Sequence, residues 1–515
     1  MKKIKNLSAL ILCICLIFTA SACKKTKGGG DGDKYVKPKN IMTTEEYQAE
    51  LKDLLKTANF STADDAFNKK VDDLTDRLKE QIKYNEESVS FTGTAYYVSN
   101  DGDDNNDGKS EKTAWKTLEK VNSMNTYNEG DAVLFRRGDT FRGSLSARNG
   151  MTYSAYGEGY KPRIVASTNG PDNGTWEKTD TENVWKYSKR FSQQDMGHIL
   201  FTDKDGNEIC GDKKVKPSKL SKNFDFVYCG PTVEEGKIDM CAYVYYDGGN
   251  PGEVFADIEL PLDTQVITSG KKLHDVTINN LELLHGRGPF WPTDSQNILM
   301  SYCIIGWCGG FADTKGGVRY GGGSGAWHGC DNFVYDHCYF YEQFDSGVSP
   351  QYDGEEEAPS VFKDFKTTNC LFEGCEYTLE YFNSQKNTLE NRFEGMYFAY
   401  NLCRKGGYGF GTKTSMSAYV KSWGHENTCI DCQIEYNLFD RAAALTLEVI
   451  SYEQSASGNT LSYEKMPKIN NNIYIQKKDK KFANINNVMY KFNENEINKL
   501  IKTGADTDSV YIYSE

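Results

Sequence analysis

The tripeptide Thr-Leu-Glu occurs twice in strand-like surroundings, as Thr378-Leu379-Glu380 and Thr446-Leu447-Glu448. On strands, alternation turns both leucines to one face and both glutamates to the other. With "GFG" at 409–411 between them, the glutamates join a column of Asp313, Ser349, Glu380, Gly411 and Glu448. If each member belongs to one coil of a stacked structure, Glu380 and Glu448 stand two coils, or about 10 Å, apart. That is close to the separation at which one carboxyl protonates a leaving oxygen while another activates a water. Asp345 in "FDSGVSPQ", with Glu342 before it, supplies alternative acids, and His425 in "SWGHENTC" supplies a proton carrier. Tyr381, Tyr408 and Trp423 offer ring faces, while Asp313, Arg319, His328 and Lys413 offer polar contacts. The competing reading is a solvated acidic stripe beside a loop histidine. His425, Cys429 and Cys432 have metal-like spacing but give three ligands, and Cys432 precedes a strand, which argues against zinc.

The elements that must hold these residues form a repeat. From about residue 275 come "TINNLEL", "MSYCIIG", "YDHCYFY", "TTNCLFE", "AYNLCRK", "EYNLFDR" and "NNNIYIQ". One column runs through them: Asn280, Cys303, Cys338, Cys370, Asn401, Asn437 and Asn472, at intervals between 23 and 36 residues. Each segment alternates in polarity over five or six residues, as strands do, and the irregular interval reflects loops of varying length. The spacing predicts a parallel β-helix, in which a buried Asn at each bend bonds the next coil and Cys fills the same volume. Cys303, Cys338 and Cys370 are then unpaired.

Residues 42–90 read as two amphipathic helices forming a short structural prefix, and 91–167 as an N-terminal cap with the first coils. Residues 168–256 break the pattern with hairpins, an inserted β-rich subdomain, and 257–515 form the β-helix with a helical C-terminal cap at "FNENEINKLIKTG". The stretch "DDNNDGKS" copies half an EF-hand loop, with Asp103, Asn105 and Asp107 at the first ligand positions, but Ala114 stands where a bidentate Glu belongs. It reads as a turn into a capping helix bearing Trp115, Leu118 and Val121, with a weak calcium site as the alternative and no cofactor required.

Three stretches, "YYVSNDGDDNNDGKSEKTAWKTL", "GDAVLFRRGDTFRG" and "YGEGYKPRI", resemble the start of secreted right-handed parallel β-helix proteins of the pectate-lyase-like superfamily. "CEYTLEYF", "GGYGFGTK" and "VKSWGH" are similar to bacterial members beside glycoside hydrolases. The resemblance covers the chain from Tyr96 onward and implies an all-β, right-handed solenoid. It leaves the reaction open, because the superfamily includes lyases, hydrolases, epimerases and binding proteins.

Residues 1–23 have a Lys-rich start, an apolar run and small residues before Cys23, the pattern of a lipoprotein signal with Cys23 as the lipidated residue. Residues 24–41 are a Gly-rich tether, so the expected location is the bacterial cell surface, with the lipid as the sole membrane contact. A net charge of -13 argues against nucleic acid, and 33 Tyr with 26 Phe suit sugar rings. The expectation is a monomeric, surface-anchored glycoside hydrolase acting on a polysaccharide or oligosaccharide. Its rivals are a polysaccharide lyase, with Lys413, Arg404 or Arg441 as base, and a non-catalytic glycan-binding solenoid.

Overall fold

The computed structural model describes residues 35–171, 173–353, 359–383, 390–411, 416–423, 427–453, 458 and 460–515. Cys23, Lys413 and His425 lie outside the described residues. Two long sheets, of 21 and 13 strands, dominate the chain, and nearly all their pairings are parallel. Along the smaller sheet, Tyr339 pairs with Leu371, Leu371 with Leu402, Leu402 with Leu438, Leu438 with Ile473 and Ile473 with Val510. Each strand thus pairs with its counterpart one coil later, which makes a parallel β-helix.

The residues just before that column form the buried ladder. The Cys370 N–H donates to Asn401 Oδ1 at 2.9 Å, Asn401 N–H to Asn437 Oδ1 at 3.0 Å, and Asn437 N–H to Asn472 Oδ1 at 3.0 Å. Asn401 Nδ2 and Asn437 Nδ2 also donate to the next Asn at 3.0 Å. Every bend therefore satisfies its neighbour's backbone, and no water is needed to do so. Cys303, Cys338 and Cys370 occupy the same column, fully buried, and all twelve described cysteines are free thiols.

Asn280 is not in this ladder. Glu282 pairs with Ile304, so Leu281 is the counterpart of Cys303 and Asn280 sits one residue earlier. It belongs instead to a column of left-handed residues with Tyr302, His337, Asn369, Tyr400, Tyr436 and Asn471, whose φ values run from 50 to 58°. The bend needs one such residue in each coil, and Asn adopts that conformation more readily than most residues. Stacking holds the bulkier members: the Tyr302 and His337 rings are 4.7 Å apart, and the Tyr400 and Tyr436 rings 5.1 Å.

The helices Thr44–Leu54 and Asp65–Lys83 lie against the outside of the smaller sheet. Their apolar residues Tyr47, Leu51, Val71, Leu74 and Leu78 cover the outward column of Leu371, Leu402, Leu438 and Ile473. Thr43 and Glu46 form a reciprocal capping box that starts the first helix. Among the helices expected at the ends, Leu118–Ser123 begins only at Leu118, because Thr117 caps it. Trp115 is not helical as the sequence had implied: it bridges to Val98 and stacks on Tyr96 at 5.0 Å. The helix Glu494–Lys502 places Ile497 and Leu500 in the main core.

Within the 168–256 segment, strands between Trp176 and Tyr245 form a separate five-stranded sheet, mostly antiparallel. It is tied to the solenoid by a buried Asp195, which pairs with Lys213 and accepts hydrogen bonds from Thr232 Oγ1 at 2.9 Å and Ala312 N–H at 2.6 Å.

Candidate functional site

The strand Tyr377–Asn383 carries Glu380, and its neighbours fix the column around it. Glu380 pairs with Lys421, Lys421 with Glu448, and Glu448 with Asn484, so the two glutamates do leave positions two coils apart. The residue between them is Lys421, not Gly411. Lys421 Nζ donates to Glu448 Oε2 and lies 4.2 Å from the centre of the Trp423 ring. Gly411 lies outside that column, at the strand entrance against Phe344 and Glu376, where an added Cβ would meet Phe344 O at 2.5 Å.

Glu380 is buried, and Trp423 Nε1 donates to its Oε1 at 2.6 Å while Ser349 Oγ donates to its Oε2 at 3.3 Å. Two further acids come from the turn before the strands. Glu376 and Tyr377 both donate their N–H groups to Asp345 O, at 3.0 and 3.1 Å, so Asp345 and Glu376 occupy matched positions on adjacent coils. Glu376 is buried, whereas Asp345 is half-buried. Tyr377 stands among them: burial drives its hydroxyl well above the usual phenol range, and the charges of Asp345, Glu380, Glu376 and Glu448 raise it further. One buried phenol therefore lies within electrostatic reach of four carboxylates. Asp345, Trp423 and Glu448 are the members with partly exposed side chains.

Beside the acid column runs a second outward column, in which Thr293 pairs with Trp327, Trp327 with Gln351 and Gln351 with Phe382. Trp423 follows Ser422, the partner of Tyr381, and so continues it one coil beyond Phe382. Phe382 and Trp423, on adjacent coils, thus flank the carboxylates, while Trp327 packs against the core beside Tyr352.

Glu342 lies on the neighbouring sheet and accepts from Phe410 N–H at 2.8 Å. Burial pushes its carboxyl up to about 7 against the pull of that bond and of Lys405. Phe410 is held between Phe344, Trp307 and His198, at 5.5, 5.5 and 5.1 Å. Gly409 lets the loop pass this close, since a Cβ there would fall 1.9 Å from Gly374 O. Glu342 anchors a loop; its matched positions on adjacent coils are Trp307 and Gly374, away from the Glu380 column.

Several residues expected at the site are placed differently. Tyr381 is fully buried and points into the coil beside Phe393, which follows from alternation with Glu380, so it presents no face to a sugar. Arg319 sits under the inserted segment, donating to Gly310 O and Gly197 O at 2.8 Å each and covering the Phe344 ring at 4.4 Å. Asp313 is exposed and pairs with Arg287 at 3.1 Å. His328 is buried with Nδ1 2.5 Å from Asp294 Oδ1 and its ring 4.5 Å from Tyr352. Tyr408 is 61% exposed, in the loop that Glu342 anchors. Arg404 binds Asp72 and Asp440, and Arg441 binds Asp440, so both are bound up in ion pairs. Cys429 and Cys432 are buried core thiols.

In the opening loop the acids serve the loop itself. Asp103 Oδ1 accepts from Asn105 N–H at 2.9 Å, and Asp107 Oδ1 from Lys109 N–H at 3.0 Å and Thr113 Oγ1 at 2.7 Å. Among the described residues, no group of three or more His, Cys, Asp or Glu is placed to hold a metal ion.

Lys421, Glu376, Tyr377, Trp327 and Phe382 were missed in the sequence. Lys421 was findable, since "YVKS" repeats the pattern of "TLEY" and "TLEV" with a cation in the acidic place.

No family model matches the chain. It is similar to the lacto-N-biosidase of Bifidobacterium longum subsp. longum, at 35% identity over 113 residues, which are 20% of this chain and 7% of that protein. Among solved structures it is similar to one described as the complex structure of XylC with xylose, with a TM-score of 0.47 and 11% identity over 82% of this chain and 83% of that one. It is also similar to the GH136 lacto-N-biosidase from Eubacterium ramulus, with a TM-score of 0.37 and 13% identity over 87% and 70%. The strand pairing establishes the fold by itself: a parallel β-helix, the architecture of pectate-lyase-like proteins.

Proposed function

We propose that this protein is an exported glycoside hydrolase that cleaves a neutral polysaccharide or oligosaccharide at the Glu380 column. The observation that carries the reading is the outward column of Glu380, Lys421 and Glu448 on successive coils, with Glu380 held by Trp423 and Ser349 and flanked by Phe382 and Trp423. The short likeness to a lacto-N-biosidase supports a carbohydrate substrate.

The roles follow from the partners. Glu380, held by Trp423 and Ser349, is the carboxylate that takes a proton from water as its oxygen attacks the anomeric carbon. Glu448 is engaged by Lys421, so it positions that ammonium and does not act as the acid. The proton for the leaving oxygen comes from Asp345, the more exposed of two acids whose backbones stand on adjacent coils. As the glycosidic C–O bond breaks, the Asp345 proton passes to the leaving oxygen. Glu380 takes one proton from water, and the resulting hydroxyl ends on the sugar. The step calls for no cofactor.

A neutral substrate follows from the charge. Uronate recognition needs free cations, and of the described candidates Lys421, Arg404, Arg441 and Arg287 are each paired with a carboxylate, while Lys413 lies outside the described residues. Lipid anchoring through Cys23 and a monomeric state belong to the same proposal, and the anchoring rests on the N-terminal sequence.

A panel of plant and host glycans tests the reading. Incubation with purified protein should give new reducing ends on at least one neutral glycan, without products that absorb in the near ultraviolet. Unsaturated products from a uronate glycan would replace the hydrolase with a lyase. Binding without any cleavage would leave a glycan-binding solenoid.

A further inference from the structure

Trp291 follows the strand Gly288–Phe290, and no part of the proposed step uses it. Its indole is inlaid on the sheet. A Cβ at Gly288 would come within 2.9 Å of Trp291 Nε1, and one at Gly325 within 3.0 Å of Cζ3, at the opposite end of the ring. The ring therefore lies flat across two glycines on adjacent coils, and Trp291 Nε1 donates to Gly323 O at 3.1 Å, which fixes its rotation. Any larger residue at 288 or 325 would lift the ring off the sheet. Trp291 remains half-buried, and with its lower face against glycine the exposed part is the upper face. Among the described residues no other aromatic ring packs on it.

Its place in the fold gives the flat ring a use. Phe290 pairs with Ser324, Gly325 with Ser349, and Ser349 Oγ reaches Glu380. Trp291 thus lies at the head of the acid column, with only Gly325 and Ser349 separating its coil from that of Glu380. Trp291 and Glu380 therefore stand three coils, or about 14 Å, apart along the sheet. Trp327, one coil on and in the adjacent column, stands next to this stretch, edge-to-face with Tyr352 at 5.7 Å.

We propose that the upper face of Trp291 is a sugar-stacking subsite, so that the glycan lies along the solenoid axis with one pyranose on Trp291 and the scissile bond at Glu380. Pyranoses with several axial hydrogens on one face stack on indole through C–H contacts, and a ring already flat and fixed loses little freedom on binding. The stacking contact itself is with the apolar face of the sugar ring and calls for no charge on it.

The proposal rests on the hydrolase reading, and its test separates the two. The full protein carrying Glu380→Gln, whose turnover is expected to fall about a hundredfold or more, is applied to an array of neutral di- to hexasaccharides. It is compared with the same protein also carrying Trp291→Ala or Trp291→Phe. The expected result is retention of at least one longer glycan by the parent, a loss of roughly tenfold or more in affinity with Trp291→Ala, and partial recovery with Trp291→Phe. Disaccharides too short to span both positions should bind alike in all three. Equal affinity of the parent and Trp291→Ala for every glycan would overturn the subsite while leaving the hydrolase reading intact. Retention of no neutral glycan by the parent would overturn both. Matched near-ultraviolet circular dichroism of the Ala and Phe variants keeps misfolding from imitating the expected loss.

Discussion

Replacing Glu380 with Gln should lower turnover by about a hundredfold or more while leaving glycan binding largely in place. The amide has the size of the carboxylate, and its oxygen can still accept from Trp423 Nε1, which now reaches Glu380 at 2.6 Å. What the amide cannot do is take a proton from water. A variant that instead lost binding and kept turnover would make Glu380 a contact for the sugar. A normal rate would reduce the column to a solvated stripe held in place by Lys421. Steady-state rates and binding constants, measured on the glycan that the reducing-end screen identifies, separate these outcomes.

Replacing Asn437 with Ala should destabilise the protein by about 3–5 kcal/mol, through groups left without partners rather than through lost volume. Asn437 Oδ1 accepts from both the N–H and the Nδ2 of Asn401, and Asn437 Nδ2 donates to Phe398 O, each at 3.0 Å. The substitution leaves two donors and one acceptor buried in the bend with nothing to bond, and unmade bonds of this kind cost about 1–3 kcal/mol each. Asn437→Cys should cost less, because a thiol already does this work two rungs earlier in the same ladder: Cys338 N–H donates to Cys370 Sγ at 3.3 Å. Urea midpoints of the two variants check this. If Ala and Cys destabilised equally and mildly, the ladder would be packing rather than hydrogen bonding.

The two columns show why the fold was more legible than the site. A ladder residue recurs in every coil and is recognisable by type alone, since few residues besides Asn and Cys fit an inward bend of that size. Even so, Asn280 was assigned one residue out of register, because the left-handed position next door also accepts Asn, as Asn369 and Asn471 show. Side-chain type could not tell the two positions apart; only the pairing of Glu282 with Ile304 does.

The acid column carries no such repeating type. It runs Ser349, Glu380, Lys421, Glu448 and Asn484, chosen for chemistry coil by coil. Finding its middle member meant counting along a connection whose length the sequence does not constrain, and the count stopped at Gly411, ten residues early. Alternation was the more dependable guide. It placed Leu379 opposite Glu380 correctly, and it also implied that Tyr381, two residues from Leu379, points inward. Asp345 was read as an alternative acid, but Glu376 and its match to Asp345 on the adjacent coil were hidden for a different reason. Both sit at the entrance of their strands, where periodicity has not yet begun, and only the stacking of coils brings them together.

The most direct test of the proposed chemistry is the response of Asp345→Asn to the leaving group. An aryl glycoside with a nitrophenolate leaving group departs without protonation, whereas a sugar hydroxyl in a natural glycan does not. Asp345→Asn should therefore slow the natural glycan by about a hundredfold or more and the aryl glycoside by less than about tenfold, while Glu380→Gln slows both alike. Equal losses on the two substrates for Asp345→Asn, or an undiminished rate on the natural glycan, would contradict the assignment of Asp345 as the acid and of this column as the catalytic centre.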